Sequence, residues 1–328
     1  MADLRAGLIG LGMMGRHHAR VLGSLPGVDL VAVADPGGDV HGVAGGRPVL
    51  GSVEELIDAG LDYCMVAVPT IYHEGIGLAL AEAGVHAMIE KPLAQDTASS
   101  ERVAKAFEDK GLVGAVGHIE RYNPALQQAR ARLESGELGE VYQVVTRRQG
   151  PFPARIADVG VVKDLGTHDI DLTAWVTQQE FTSVAARTAH RSGREHEDMV
   201  SVVGLLSGGT ITNHLVNWLS PFKERVTVIT GEKGAFVADT LTADLTFHSN
   251  GEIAQSWDAI SKFRGVSEGN VVRFAIAKPE PLRVEHEQFR DAVLGKDADI
   301  VTMTQGLRTV RVAEACLESA DTGSTVTL

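Results

Sequence analysis

At 328 residues the chain is too long for one ordinary core and long enough for two domains. Its 43 acidic against 30 basic side chains leave a formal charge of −13, which excludes the basic surface that nucleic acid or an anionic membrane would need. The two cysteines cannot build a zinc framework, and no apolar run approaches the roughly 18 residues of a membrane span, so a cytoplasmic protein with free thiols and no metal is expected.

The first element, Arg5 to Asp35, compresses strand, glycine turn, helix and second strand into one short unit. Gly10, Gly12 and Gly15 form G-x-G-x-x-G between an apolar run ending at Leu8-Ile9 and a helical face of Ala19, Val21, Leu22 and Leu25. Such glycines give a tight turn, close approach of a pyrophosphate and close helix packing, while the helix N-terminus offers N–H groups to phosphate. The strand Leu30 to Ala34 stops at Asp35, where an acid takes the ribose hydroxyls; NAD is therefore expected over NADP, since no cation follows in Pro36, Gly37 or Gly38. His17 and His18 lie on the helix and read as surface or packing residues.

Pro36 to Gly46 reads as a loop with a truncated helix. Ser52 and Glu55 then form a capping box for a helix through Ala59. Strands follow at Tyr63 to Val68, His86 to Ile89 and Leu112 to His118, alternating with helices Tyr72 to Ala83 and Asp96 to Lys110. This alternation predicts a doubly wound parallel sheet that binds ligands at its strand ends, here Val68-Pro69-Thr70, Glu90-Lys91-Pro92 and His118. Lys91 stands where a hydroxyl proton can be exchanged next to the reactive end of a dinucleotide.

The pattern then changes. Asn123-Pro124 starts a helix to Glu134, and strands come in runs at Val141 to Arg147, Ser183 to Ala189, Met199 to Leu206, Thr210 to Trp218, Arg225 to Thr230 and Val271 to Ile276. Hairpin signals at Ser207-Gly208-Gly209 and Gly231 to Gly234 predict a largely antiparallel sheet, and two helices, Glu285 to Leu294 and Gln305 to Ser319, close the chain. The expected fold is thus α/β: an N-terminal Rossmann domain over 1–119 and a C-terminal α+β domain over 120–328. Within the latter, Asp164 and His168 are four apart on one helical face, so the carboxylate can orient an imidazole acting as base. Arg194 to Asp198 reads as a solvated charged turn.

GLGMMG, Ala67 to Thr70 with His73 after it, EKP at Glu90 to Pro92 and KDLGTHDID at Lys163 to Asp171 together resemble the glucose-fructose oxidoreductase, inositol dehydrogenase and rhizopine catabolism (Gfo/Idh/MocA) family over nearly the whole chain. The resemblance implies an NAD(P)-dependent dehydrogenase of sugars or cyclitols with Lys91, Asp164 and His168 at the reaction centre. Cofactor contacts are expected from Gly10, Gly12, Met13, Met14, Gly15, Asp35, Val68, Pro69, Thr70, His73, Glu90 and Lys91.

Gly117 to Ala125 and Asp158 to Leu172 are most similar to the branch that oxidises the 3-hydroxyl of UDP-N-acetyl amino sugars. Substrate contacts are then expected from Lys91, Arg121, Tyr122, Asn123, Arg148, Arg155, Asp164 and His168. Arginines are the expected anchors for a diphosphate, and only one of Arg147 and Arg148 can face inward from a strand. The alternatives are a cyclitol or monosaccharide dehydrogenase, an NAD-dependent glycosidase and a non-catalytic NAD-binding regulator. A homodimer or homotetramer is expected through the open face of the second sheet.

Overall fold

A computed structural model describes residues 3–152, 159–251 and 268–328. The chain divides into two units, Met1–Ile119 with Glu280–Glu314, and Glu120–Pro279 with Ala315–Leu328. The second unit is therefore not the continuous stretch 120–328 expected from sequence: after Pro279 the chain returns to the first unit.

The first unit holds a six-stranded sheet in the order β3-β2-β1-β4-β5-β6. Its strands are β1 (Leu4–Ile9), β2 (Val28–Ala34), β3 (Val49–Leu50), β4 (Tyr63–Val66), β5 (His86–Glu90) and β6 (Gly114–Gly117). All pairs are parallel, and the order reverses between β1 and β4, where such sheets bind ligands. Neighbouring residues in each strand go to opposite faces. Ile9, Val66 and Ile89 pack with Leu80, Val103 and Phe107 of the helices α3 (His73–Glu82) and α4 (Thr97–Asp109). Leu8, Met65 and Met88 pack with Leu22 of α1 (Met13–Leu22) and Phe289 of Pro281–Val293.

No truncated helix forms over Pro36 to Gly46; that stretch is turns, closed by Asp39, which accepts from the Val43 and Ala44 N–H groups. The capping box at α2 (Val53–Asp58) is also displaced. Ser52 accepts from the Glu55 N–H, but the Glu55 carboxylate reaches the Gly51 N–H instead of that of Ser52.

The second unit carries a nine-stranded sheet in the order β14-β13-β12-β11-β7-β10-β9-β8-β15. The central strands are β7 (Val141–Pro151), β9 (Met199–Leu206), β10 (Ile211–Asn217) and β11 (Leu219–Gly231), flanked by β8 (Phe181–Ala189) and β12 (Gly234–Asp239), with β13 (Asp244–Asn250), β14 (Glu268–Arg273) and β15 (Val326–Thr327) toward the edges. Among the described residues of this sheet only β7 and β10 pair in parallel. On the inner face Val144, Ile229 and Phe236 pack against Leu126 of α5 (Pro124–Glu134) and Leu172 and Trp175 of α6 (Thr167–Thr177). On the outer face Val203, Leu205, Ile211 and Leu215 are exposed. Among the described residues no helix is long and apolar enough to cross a membrane.

Candidate active site

In the first unit every candidate group lies just beyond the carboxyl end of a strand. Gly10 adopts φ +92°, and a Cβ there would stand 2.3 Å from the Ala67 carbonyl oxygen. At Gly15 a Cβ would stand 1.9 Å from the Gly10 carbonyl oxygen, so only glycine lets α1 approach the turn. Gly12 differs: nothing lies within 4 Å of the position its Cβ would take. No side chain caps α1 at Gly12, which leaves the N–H groups of its first turn, including exposed Met13 and half-buried Met14, facing that open space.

Asp35 is half-buried at the end of β2, with Oδ2 accepting from the Leu11 N–H at 2.9 Å and Oδ1 from the Gly37 N–H at 2.8 Å. Each oxygen keeps a second lone pair for a ribose hydroxyl. The loop and this carboxylate together fit NAD. Hydrogen bonds to a charged group contribute about 1.5–3 kcal/mol each, so Asp35→Ser should narrow the preference for NAD over NADP by about tenfold or more. Dissociation constants for both cofactors test this, and equal affinity of the native protein for the two would refute the assignment.

His73 bridges two of these strand ends. It is buried, with Nδ1 at 2.8 Å from the Pro92 carbonyl oxygen and Nε2 at 3.0 Å from that of Val68. The ring ties together two strand-end loops, the one that continues into Thr70 and the one that carries Lys91. The Lys91–Pro92 bond is cis.

Behind Lys91 lies a polar chain that the sequence did not reveal. His18 is 0% exposed, with Nε2 at 2.9 Å from Glu90 Oε1 and Nδ1 at 2.8 Å from His286 Nε2. The other Glu90 oxygen accepts from the Lys91 N–H at 3.1 Å. Burial alone would raise the Glu90 carboxyl, but the His18 hydrogen bond and charge, with the Lys91 ammonium and N–H, outweigh it and hold Glu90 below the usual carboxylate range. Burial first, and His18 second, push His286 well below its ordinary value. The available signal was position: His18 falls on the buried stripe of α1 with Gly15, Ala19 and Leu22, where an imidazole needs partners.

In the second unit Asp164 and His168 share a helical segment, but its first part, Val162–Gly166, is a π-turn that runs directly into α6. Single π-turns recur at functional sites. Glu197 fixes this turn: its Oε1 accepts from the Val162 N–H at 3.0 Å and its carbonyl from the Val161 N–H at 3.0 Å. Its neighbour Asp198 is buried and accepts from the Arg191 and Ser192 N–H groups. The run Arg194 to Asp198 is thus not simply a solvated turn, because its last two acids are interior hydrogen-bond acceptors.

Asp169 and Asp171 are buried on α6 beside His168. Arg148 donates to Asp169 at 2.6 Å and to Glu120 at 2.8 Å, and Thr146 donates to Asp169 at 2.8 Å. Arg121 forms a two-point pair with Asp171 at 2.8 and 2.6 Å. His214, against Thr146, is lowered to about 4 by burial, which outweighs the pull of Asp169.

These pairings bear on the expected substrate contacts. Arg148 does face inward, 4% exposed, and Arg147 outward, 51% exposed and paired with Glu224, as strand alternation requires. Yet Arg148 is paired with Asp169 and Glu120, and Arg121 with Asp171, so both hold the platform under α6. Asn123 is engaged as well: Oδ1 caps α5 at the Ala125 N–H and Nδ2 donates to the Thr240 carbonyl. Tyr122 is buried. Arg155 lies outside the described residues.

Comparison with known proteins agrees with this architecture. Residues 4–118 match the family model described as an oxidoreductase family with an NAD-binding Rossmann fold, GFO_IDH_MocA, and residues 126–237 match the GFO/IDH/MocA C-terminal domain. UDP-N-acetylglucosamine 3-dehydrogenase of Acidithiobacillus ferrooxidans is 31% identical over 65% of this chain and 66% of that enzyme, just short of two thirds of its length. Inositol 2-dehydrogenase 2 of Saccharopolyspora erythraea is 27% identical over 98% of this chain and 94% of that one. A solved structure of the Acidithiobacillus enzyme superimposes with a TM-score of 0.86 and 26% identity, covering 98% of this chain and 99% of its own.

Proposed function

Because the chain belongs to the Gfo/Idh/MocA family of NAD-binding oxidoreductases, we propose that it oxidises a sugar hydroxyl to a ketone, and that its substrate is a nucleotide-linked N-acetyl amino sugar oxidised at the 3-hydroxyl. NAD, when bound, supplies the hydride acceptor. Lys91 and His168 handle the hydroxyl proton, and Asp164, a turn before His168, orients the imidazole. The choice of sugar rests on the likeness to UDP-N-acetylglucosamine 3-dehydrogenase, which extends over 98% of this chain in structure.

A second reading has a specific observation in its favour. Arg121 and Arg148 are already neutralised by the protein's own carboxylates, which suits an uncharged polyol, and inositol dehydrogenases are relatives over nearly the full chain. Incubation with NAD and, separately, UDP-N-acetylglucosamine, inositols and free hexoses separates the two by which sugar raises NADH absorbance. A glycosidase would release sugar without accumulating NADH, and a regulator would give no turnover.

The outer face of the nine-stranded sheet supports a proposal on assembly. Val203, Leu205, Ile211 and Leu215 stand on adjacent strands with apolar side chains exposed, and such a patch is stable when a second copy covers it. A dimer or tetramer is expected by light scattering at micromolar concentration, with Leu215→Glu shifting it toward monomer; a monomeric native protein overturns the proposal.

A further inference from the structure

The arginines consumed by ion pairs leave open which groups meet an anionic substrate, and the inner face of β11 carries two cations that no ion pair claims among the described residues. Arg225 is the ladder partner of Arg148 and shares its face of the sheet. It is half-buried, and Nη1 donates to the Gln149 and Glu224 carbonyl oxygens, both at 2.9 Å. Among the described residues no carboxylate pairs with it. Lys223, two residues earlier, lies against Gly150: a Cβ at Gly150 would come within 3.3 Å of Lys223 Cγ. Gly150 is two residues from Arg148 and on the same face, so Lys223 and Arg225 share that face, opposite a residue with no side chain. Lys223 is exposed and likewise has no carboxylate partner among the described residues.

The electrostatics agree with an unfilled role. Burial first, and like charge from Arg148 second, lower Arg225 from its ordinary value, although Asp169, Glu120 and Asp164 pull the other way. A guanidinium fixed by backbone carbonyls, partly desolvated and unneutralised, gains from an oxyanion. The register of β11 is broken between Leu219 and Glu224, and an irregularity of this kind re-aims side chains near a site. Arg225 shares its face with Arg148, whose partner Asp169 lies on α6, the helix into which the π-turn runs.

We propose that Lys223 and Arg225 form the anion subsite of the substrate region and take the diphosphate of a nucleotide-linked sugar. This deepens the proposed function and rests on its nucleotide-sugar reading. Two cations at i and i+2 on one strand match neighbouring phosphates, and in a chain of net charge −13 attraction must come from such short-range contacts.

Steady-state kinetics with UDP-N-acetylglucosamine, and calorimetry with UDP on the NAD-saturated protein, test it. Arg225→Gln should raise KM by about 10- to 100-fold with little change in kcat, the mark of lost uniform binding. Lys223→Gln should do the same to a smaller degree, and Arg225→Lys should restore part of the loss. Neither variant should change NAD affinity or KM for scyllo-inositol. Lys223 is exposed, so its variant stays informative if Arg225→Gln does not fold. Unchanged KM in both variants, with the native protein turning over the nucleotide sugar, overturns the subsite while sparing the proposed function. UDP binding that the variants lose, in a protein that oxidises only free sugars, upholds the subsite and overturns the nucleotide-sugar substrate. Absence of UDP binding and of nucleotide-sugar turnover overturns both.

Discussion

Replacing Lys91 or His168 by alanine is expected to lower kcat by about 10² to 10⁴, the usual contribution of a general acid–base group, with NAD affinity retained. Removing a hydride from a carbinol carbon is favourable only if the hydroxyl proton leaves with it, and these two side chains are the proposed acceptors. The structure bears on how each substitution should be read. His168 is half-buried near the start of α6, where alanine has the highest helix propensity, so the fold should survive. Lys91 follows a glutamate held from behind by buried His18, and removing the ammonium leaves that tie in place. The proposed cofactor contacts, Gly10, Gly12, Gly15 and Asp35, are unaltered in both variants. Single-turnover NADH formation, alongside NAD titration, separates chemistry from binding. Near-native turnover in both variants removes Lys91 and His168 from the mechanism.

The sequence exposed these elements unequally, for reasons that trace to range. Gly10, Gly12, Gly15 and Asp35 belong to one local βαβ unit whose spacing is dictated by chain geometry, so their placement was readable. The alternation of Arg147 and Arg148 was readable for the same reason, since a strand has period two. What each arginine would meet was not, because Asp169, Glu120 and Asp171 reach them across 21 to 50 residues of chain. His18 is the same case at longer range, with partners 72 and 268 residues away. Glu197 and Asp198 looked solvated because acidic runs usually are, and only the fold brings backbone N–H groups to them. β11 begins at Leu219, ahead of the expected Arg225, because Pro221 and the break in register hide the strand's first half. The return of Glu280–Glu314 to the first unit left no local trace either. Its helices are ordinary amphipathic ones, and the sheet face they cover is decided by tertiary packing alone.

The Arg148 assignment makes the other large prediction, one of stability. Arg148→Met keeps much of the side chain's volume but leaves the Asp169 carboxylate, 2% exposed, and that of Glu120, 16% exposed, without their cation. Breaking a buried pair from one side typically costs about 3–5 kcal/mol, because two carboxylates then face each other in a medium that solvates them poorly. Both of these acids act in the same sense: they raise the Arg148 guanidinium above its ordinary value against the opposing effect of burial. A loss of that size should lower the thermal midpoint by roughly 6 to 20 °C. Adding Asp169→Asn and Glu120→Gln to Arg148→Met should recover part of it, since uncharged amides need no counter-ion. The alternative role for Arg148, an anchor for the substrate diphosphate, has the opposite signature. KM for the nucleotide sugar would rise while the midpoint held, because an arginine waiting for its ligand is not already holding two carboxylates together. A stable Arg148→Met protein with a raised KM would therefore return Arg148 to the substrate side. An unstable variant, improved when its acids are neutralised, fixes it as part of the platform beneath His168.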